Sequence, residues 1–489
     1  MIANRMGTGF SGLMALLLGR VGQLAAAFLT IKIATTLLSP AEVGSVNQLN
    51  SFAMLLATGL LLPVVAYFTR GVVGWVETHR FEAYARAMLY IIALSAFILS
   101  AVGTLLQWGW GFVHDVAVPW VGFLLLVYLV GFSTHNLLIN CTAVLGQRKH
   151  TAIYSNLAAW LGLAAAASLY LQFGTAEVWF LGICIGFLVS GQLFWVFLKN
   201  TKSPASGGQR PDQNILPFDV AAVLRFMWPQ VLVGVLWWVQ SQSYRFQLAE
   251  ISNVATVGLF FAGYALCSVP MQAFEAAVNE YFGPMLYGKI DMNSQSTVVQ
   301  AWNLYASVYI PSILIFGGFL AACAPFLVVL ALGSEFQAVG TILIWAALGE
   351  TARALSTVNH ALGIAKVDMR RLLPPALAGA LAAPVLIQVL APGEPLLGTA
   401  IALCLANAIV LVVVYVLVSL SAPVTWPWKR ALAAASLGAA VILAGKAAFD
   451  LLPRTPVVAL AVCAVLGLFV LAVLYYISRS SLAAVTAKP

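Results

Sequence analysis

Runs of about twenty consecutive apolar residues, the length that carries an α-helix across a bilayer, recur from one end of this chain to the other. Few folds are open to such a chain. Lipid offers no hydrogen bond to a backbone N–H or C=O, so each run must satisfy its own backbone as a helix. Hydrophobic residues fill 62% of the 489 positions and charged residues only 8%, a balance that soluble domains do not show. Fourteen spans are expected, at 10–38, 46–70, 84–107, 118–142, 151–173, 177–198, 226–249, 255–282, 300–330, 339–363, 372–391, 397–419, 431–449 and 456–477. None of them is a short N-terminal run followed by a small-residue cleavage site, so the first is expected to be retained. The expected fold class is an all-α polytopic membrane protein.

Orientation follows from the basic residues, because short loops rich in Lys and Arg stay in the cytoplasm. With the N-terminus inside, eighteen of the 24 Lys and Arg residues fall in cytoplasmic segments; Lys446 and Arg454 lie outside, and Arg20, Lys32, Arg245 and Arg353 fall within spans. Both termini are therefore expected in the cytoplasm of a cell bounded by this plasma membrane. The net charge of +8 reflects that distribution and needs no nucleic-acid partner. All six cysteines lie in apolar spans with neither CxxC nor metal-ligand spacing and read as packing residues. No phosphate-binding GxxxxGK[ST] loop occurs and no soluble stretch is long enough for a nucleotide-binding domain. No cofactor is expected; a sodium or proton gradient, or consumption of a product downstream, would have to drive any cycle.

The longest hydrophilic interruption, KNTKSPASGGQRPDQNILPFD at 199–219, has the Ser, Gly, Pro and charge content of a flexible linker. It divides the chain into an N-terminal six-helix lobe (1–198), a cytoplasmic linker (199–225), a second six-helix lobe (226–420), and two extra helices with a tail (421–489). The lobes echo each other. LLSPAEVGSVNQLNSF (37–52) and EISNVATVGLFFAGYA (250–265) align Val43-Gly44 with Val257-Gly258 at an offset of 214, and Gly146 and Lys149 align with Gly363 and Lys366 at 217. An even number of spans per copy gives both the same orientation, which predicts a pseudo-two-fold axis along the membrane normal and a substrate path between the copies.

A Lys, Arg or Asp at mid-bilayer costs roughly 2.5 to 3.5 kcal/mol on insertion scales, so such residues face a partner or a cavity. Lys32 interrupts AFLTIKIATTLL, and the 214-residue offset places it one position from Arg245 in QSQSYRFQ (240–247). That stretch is polar on every helical face and must meet water or protein. Lys32 is also close enough to its span end to snorkel outward. Arg20 shares a face with Gln23, Ala27 and Thr30. A second cluster sets His135 and Asn136 in the fourth span against Glu350 and Arg353 in the tenth, where Glu350 and Arg353 are spaced to pair along one helix. Glu275 lies in the eighth span, with Asn279 and Glu280 nearer its end. Arg20, Lys32, Arg245 and Arg353 are thus the candidate substrate-binding residues, and Glu275 and Glu350 the candidate ion-coupling carboxylates. The sum is a modestly cationic cavity suited to a phosphate or diphosphate.

The 6 plus 6 repeat, the turn LLSPAEVGSVNQL after the first span, LGSEFQAVG (332–340) before the tenth and LGIAKVDM (362–369) after it together resemble the polysaccharide transporters, including Wzx-type O-antigen flippases. These belong to the multidrug/oligosaccharidyl-lipid/polysaccharide (MOP) flippase superfamily. The resemblance spans nearly the whole chain. It implies translocation of an undecaprenyl-diphosphate-linked oligosaccharide across the inner membrane by alternating access, with basic residues at Arg20, Lys32 and Arg245 handling the cargo. It also implies work alongside a polysaccharide polymerase and a chain-length regulator. The two surplus C-terminal helices are similar to those of lipid II flippases, where they border a groove for the lipid tail. The arginine-rich sequence of those flippases is replaced here by NQLNSFAMLLATG (47–59), which disfavours a peptidoglycan precursor. Two other functions remain open from the residues. A drug/cation antiporter of the same superfamily would need an acidic lobe. A glycan polymerase or ligase would need acid and base groups gathered in outward loops, which offer only the scattered Glu42, Asp115, Glu177, Glu250, Glu335, Glu394 and Asp450.

Overall fold

The computed structural model describes residues 10–114, 116–200, 220–290, 295–365, 369–421 and 424–486. Asp115, Lys366 and the linker from 201 to 219 lie outside the described residues. Those residues form helices and turns with no strand among them. In chain order the helices are α1 (Phe10–Leu37), α2 (Pro40–Leu56), α3 (Leu62–Glu77), α4 (Phe81–Trp110), α5 (Val118–Val144), α6 (Arg148–Phe173), α7 (Ala176–Asn200) and α8 (Val220–Gln242). They continue with α9 (Tyr244–Ile251), α10 (Val254–Ile290), α11 (Gln295–Ala331), α12 (Leu343–Ala365), α13 (Leu373–Leu390), α14 (Pro395–Ser421), α15 (Trp428–Leu451) and α16 (Pro456–Thr486). Among the described residues twelve helices are long and apolar enough to cross a membrane, which makes the chain a multi-pass membrane protein. The 28-residue α1 and 23-residue α8 are also of membrane-spanning length. These are the helices whose ends carry Lys32 and lead into Arg245.

The second expected span is longer than its apolar run. α2 and α3 are continuous through a π-helical turn at Ala57–Leu61, so one helix reaches from Pro40 to Glu77. A π-turn widens the helix and opens its surface to a neighbour. Here α8 packs close by: the Trp238 indole donates to the Ser51 carbonyl at 2.8 Å, and a Cβ on Gly234 would come within 2.7 Å of the Thr58 methyl. The seventh expected span, 226–249, is interrupted. Ser243 ends α8, and α9 starts immediately after it. The Ser243 hydroxyl donates to the Val239 carbonyl, the back-bonding geometry that bends helices.

The described residues divide into two compact units. One comprises those within Met1–Thr30 and Glu42–Trp238, the other those within Ile31–Ala41 and Val239–Pro489. The division falls inside α1 and inside α8, and Lys32, expected in the first lobe, belongs to the second unit. In the first unit, α6 and α7 approach so closely that a Cβ on Gly182 would lie 2.3 Å from the Ala166 backbone, the small-residue packing that membrane helices use. Its core includes Val65, Phe68, Ile92, Leu137 and Phe194, all fully buried. In the second unit the two extra helices rest on α11 through Ile315, Ala434 and Val470.

Gly182→Leu should force α6 and α7 apart and lower the melting temperature in detergent by several degrees. Gly340→Ala, where a Cβ meets nothing within 4 Å, should leave it unchanged. Equal melting of both variants would show that the α6–α7 approach is not needed.

Candidate functional site

The polar run at 240–247 finds its partners in protein. Gln240 donates to Asn407 Oδ1 on α14 at 2.8 Å, and Gln247 donates to the Ser243 hydroxyl at 3.2 Å. On the other side of the break, Arg245 occupies the first turn of α9 with only 6% of its surface exposed. Its guanidinium donates to Gln242 Oε1 and lies 4.6 Å from the Tyr244 ring centre and 5.6 Å from that of Phe261. Aromatic faces attract a cation without neutralising it. Its Nε has no hydrogen-bond partner, and among the described residues Arg245 forms no ion pair.

Arg353 has the opposite surroundings. Its Nε donates to Glu350 Oε2 at 2.7 Å and its Nη2 to Glu275 Oε2 at 2.9 Å, so one guanidinium bridges α12 and α10. The second oxygen of Glu350 accepts from the Tyr264 hydroxyl at 2.6 Å. Both carboxylates are buried, at 2% exposure for Glu350 and 8% for Glu275. The sequence anticipates the Glu350–Arg353 pair. Nothing in it joins Glu275, 78 residues away, to the same guanidinium. From Arg245 to this cluster runs a ladder of rings: Tyr244 to Phe260 at 5.0 Å between centres and Phe260 to Tyr264 at 5.6 Å.

Lys32 has a third kind of partner. Its ammonium donates to the Leu332 carbonyl at 3.1 Å, just past the end of α11, where helix carbonyls lack intrahelical partners and a cation is favoured. Thr35 reinforces the contact by accepting from the Gly333 N–H at 3.1 Å. A Cβ on Gly333 would meet the Thr35 carbonyl at 2.0 Å, so only glycine permits the approach. Lys32 thus fastens the last turns of α1 to the α11 terminus. Arg20 lies in the first unit, where it donates to Gln23 Oε1 at 2.9 Å on the face expected from the sequence. His135 is taken up by the Ser190 hydroxyl at 2.8 Å, and Asn136 by the Phe132 carbonyl at 2.8 Å.

Structure therefore joins Glu275, Glu350 and Arg353 by direct contact and gives Arg20, Lys32 and Arg245 separate partners. Tyr244, Phe261 and Tyr264, which cage Arg245 or hold Glu350, are not singled out by the sequence. Their only sequence signal is an aromatic beside or following a polar run. Among the described residues no three His, Cys, Asp or Glu side chains gather as a metal site.

No family model matches the sequence, and no curated protein matches it. Solved structures do. Lipid II flippase MurJ in an inward closed conformation superimposes with a TM-score of 0.63 at 12% identity, covering 95% of this chain and 99% of that one. The chain has the fold of MOP transporters. An inward-facing multidrug resistance MATE family transporter of the MOP superfamily matches with a TM-score of 0.58 at 13% identity, over 81% of this chain and 94% of that one. A MOP superfamily transporter from Pyrococcus furiosus, described as having a binding pocket of reverse polarity, gives 0.59 at 14% identity over 84% and 95%. The match to MurJ takes in more of this chain than either of these.

Arg353→Met should sharply reduce the yield and melting temperature of folded protein, since breaking a buried pair from one side costs about 3 to 5 kcal/mol. Adding Glu275→Gln and Glu350→Gln should recover most of the loss. A stable single variant would show that the bridge is not an anchor of the second unit.

Proposed function

We propose that this chain is a flippase that carries an undecaprenyl-diphosphate-linked oligosaccharide from the cytoplasmic to the outer leaflet of the plasma membrane for surface polysaccharide assembly. One observation carries the reading: Arg245, buried and caged by aromatic rings, keeps a positive charge that no carboxylate among the described residues neutralises. A buried charge without a counter-ion is costly unless it has work to do. A diphosphate is the partner that a guanidinium recognises best, through paired charge-assisted hydrogen bonds. The fold supports the reading, because a lipid II flippase shares it over nearly the whole chain.

A cation exporter would need carboxylates to hold its cargo. Glu275 and Glu350 are both engaged by Arg353, and Glu350 also by Tyr264, which favours an anionic cargo. In this reading Arg353 positions those carboxylates, and Arg245 meets the diphosphate. Arg20 and Lys32 add positive charge along the route. Glu275 and Glu350 are the groups on which a sodium or proton gradient would act. The glycan's polymerisation is left to a partner polymerase and chain-length regulator.

The reading is tested in spheroplasts with and without the protein, using an impermeant glycan-binding probe on the outer face. Access should require the protein while the length of the trapped glycan stays unchanged; equal access with altered glycan length would instead indicate an enzyme. Arg245→Ala should insert normally and lose about tenfold or more of the outward access, since truncating one side of a desolvated charge pair costs about 2 kcal/mol or more. Arg245→Lys should keep part of it, and Lys32→Ala combined with Arg245→Ala should be worse than either alone. Wild-type access in Arg245→Ala would remove Arg245 from the site.

A further inference from the structure

In the second unit, where α14 gives way to α15, a cavity of about 590 Å³ is bounded by Asn303 and Ser307 of α11 together with Trp426, Trp428, Lys429 and Arg430. The volume lies within the range of small-molecule sites, about 300 to 1,000 Å³. Its aromatic side is a cluster rather than a single ring. Trp426 meets Trp302 at 5.5 Å between centres, Tyr415 at 4.6 Å and Trp428 at 5.9 Å. The segment is held in place by the Thr425 N–H, which donates to Asn303 Oδ1 at 2.9 Å. Lys429 and Arg430 stand exposed in the first turn of α15, the end of a helix that already favours an anion.

Tryptophan with Lys or Arg at a helix end is also the ordinary dress of a membrane interface. An interfacial anchor needs rings and cations facing outward; here they line a recess that Asn303 and Ser307 of α11 complete. We propose that this cavity binds the phosphate headgroup of a resident anionic phospholipid. Lys429 and Arg430 would contact the phosphate, and the tryptophan cluster would cover the glycerol and first methylenes. The positive-inside reading puts these residues at the cytoplasmic leaflet, where anionic lipids give a negative surface potential. This site is independent of the transport reading and would stand if the chain moved a different cargo.

Native mass spectrometry of the purified full-length protein in neutral detergent, titrated with phosphatidylglycerol or with phosphatidylcholine, tests the assignment. The wild type should retain phosphatidylglycerol in preference to phosphatidylcholine. Lys429→Gln with Arg430→Gln should weaken that retention about tenfold or more, and Trp428→Ala, which removes an exposed ring from the lining, should weaken it several-fold. Ser307→Leu, which fills the cavity without altering charge, should also weaken it, and a melting curve confirms that each variant is folded. Equal retention of the two lipids, or undiminished phosphatidylglycerol binding in the folded double variant, overturns the proposal. Displacement of the lipid by inorganic phosphate alone would overturn the lipid source and assign the cavity to a soluble phosphate.

Discussion

Lipid satisfies neither a backbone amide nor a charge, and each polar feature of this chain is an answer to that constraint. Backbone groups are satisfied by making almost everything helix. Three of the cations that enter the helices meet different fates. Arg353 is enclosed by two carboxylates, Lys32 caps the carbonyl end of α11, and Arg245 is sheathed in aromatic faces with a single neutral acceptor. The first two arrangements balance charge or dipole within the chain. The third leaves a charge that no carboxylate among the described residues meets, and on the proposed reading this asymmetry separates a structural cation from a functional one.

The third arrangement is set by helical spacing. Arg245 follows Gln242 by three residues, with Ser243 between them still in the right-handed helical region, so the guanidinium meets Gln242 on one face. The rings of Tyr244 and Phe261 complete its surroundings. The serine bonds back to Val239 and the glutamines pair with Asn407 and Ser243, so these polar side chains find partners within the protein. Local sequence, helix geometry and the electrostatics of the site are one arrangement there.

The helices were legible because a bilayer-length apolar run has one reading, and the expected spans match the observed ones at most ends. At two places where they differ, the cause is local chemistry that hydropathy does not register. The π-turn at Ala57–Leu61 continues α2 into α3, and the serine break splits the seventh span. Charged positions stood out in the sequence, but their partners on other helices did not. A lysine bonded to a backbone carbonyl 300 residues away leaves no trace in residue types. Neither does the bridge from Arg353 to Glu275 on another helix, although the pairing of Arg353 with Glu350 follows from their spacing of three. The face shared by Arg20 and Gln23 was readable because both lie on one helix at a spacing of three.

The central claim is that a buried, unneutralised Arg245 recognises a lipid-linked diphosphate. Its most direct test is a proteoliposome assay in which a fluorescent undecaprenyl-diphosphate saccharide is followed by bleaching from outside, beside the same saccharide on a neutral undecaprenyl ether. The account predicts that the protein accelerates exposure of the diphosphate and not of the neutral lipid, and that Arg245→Ala abolishes the difference. Equal acceleration of both lipids, or an unchanged preference in Arg245→Ala, would contradict it.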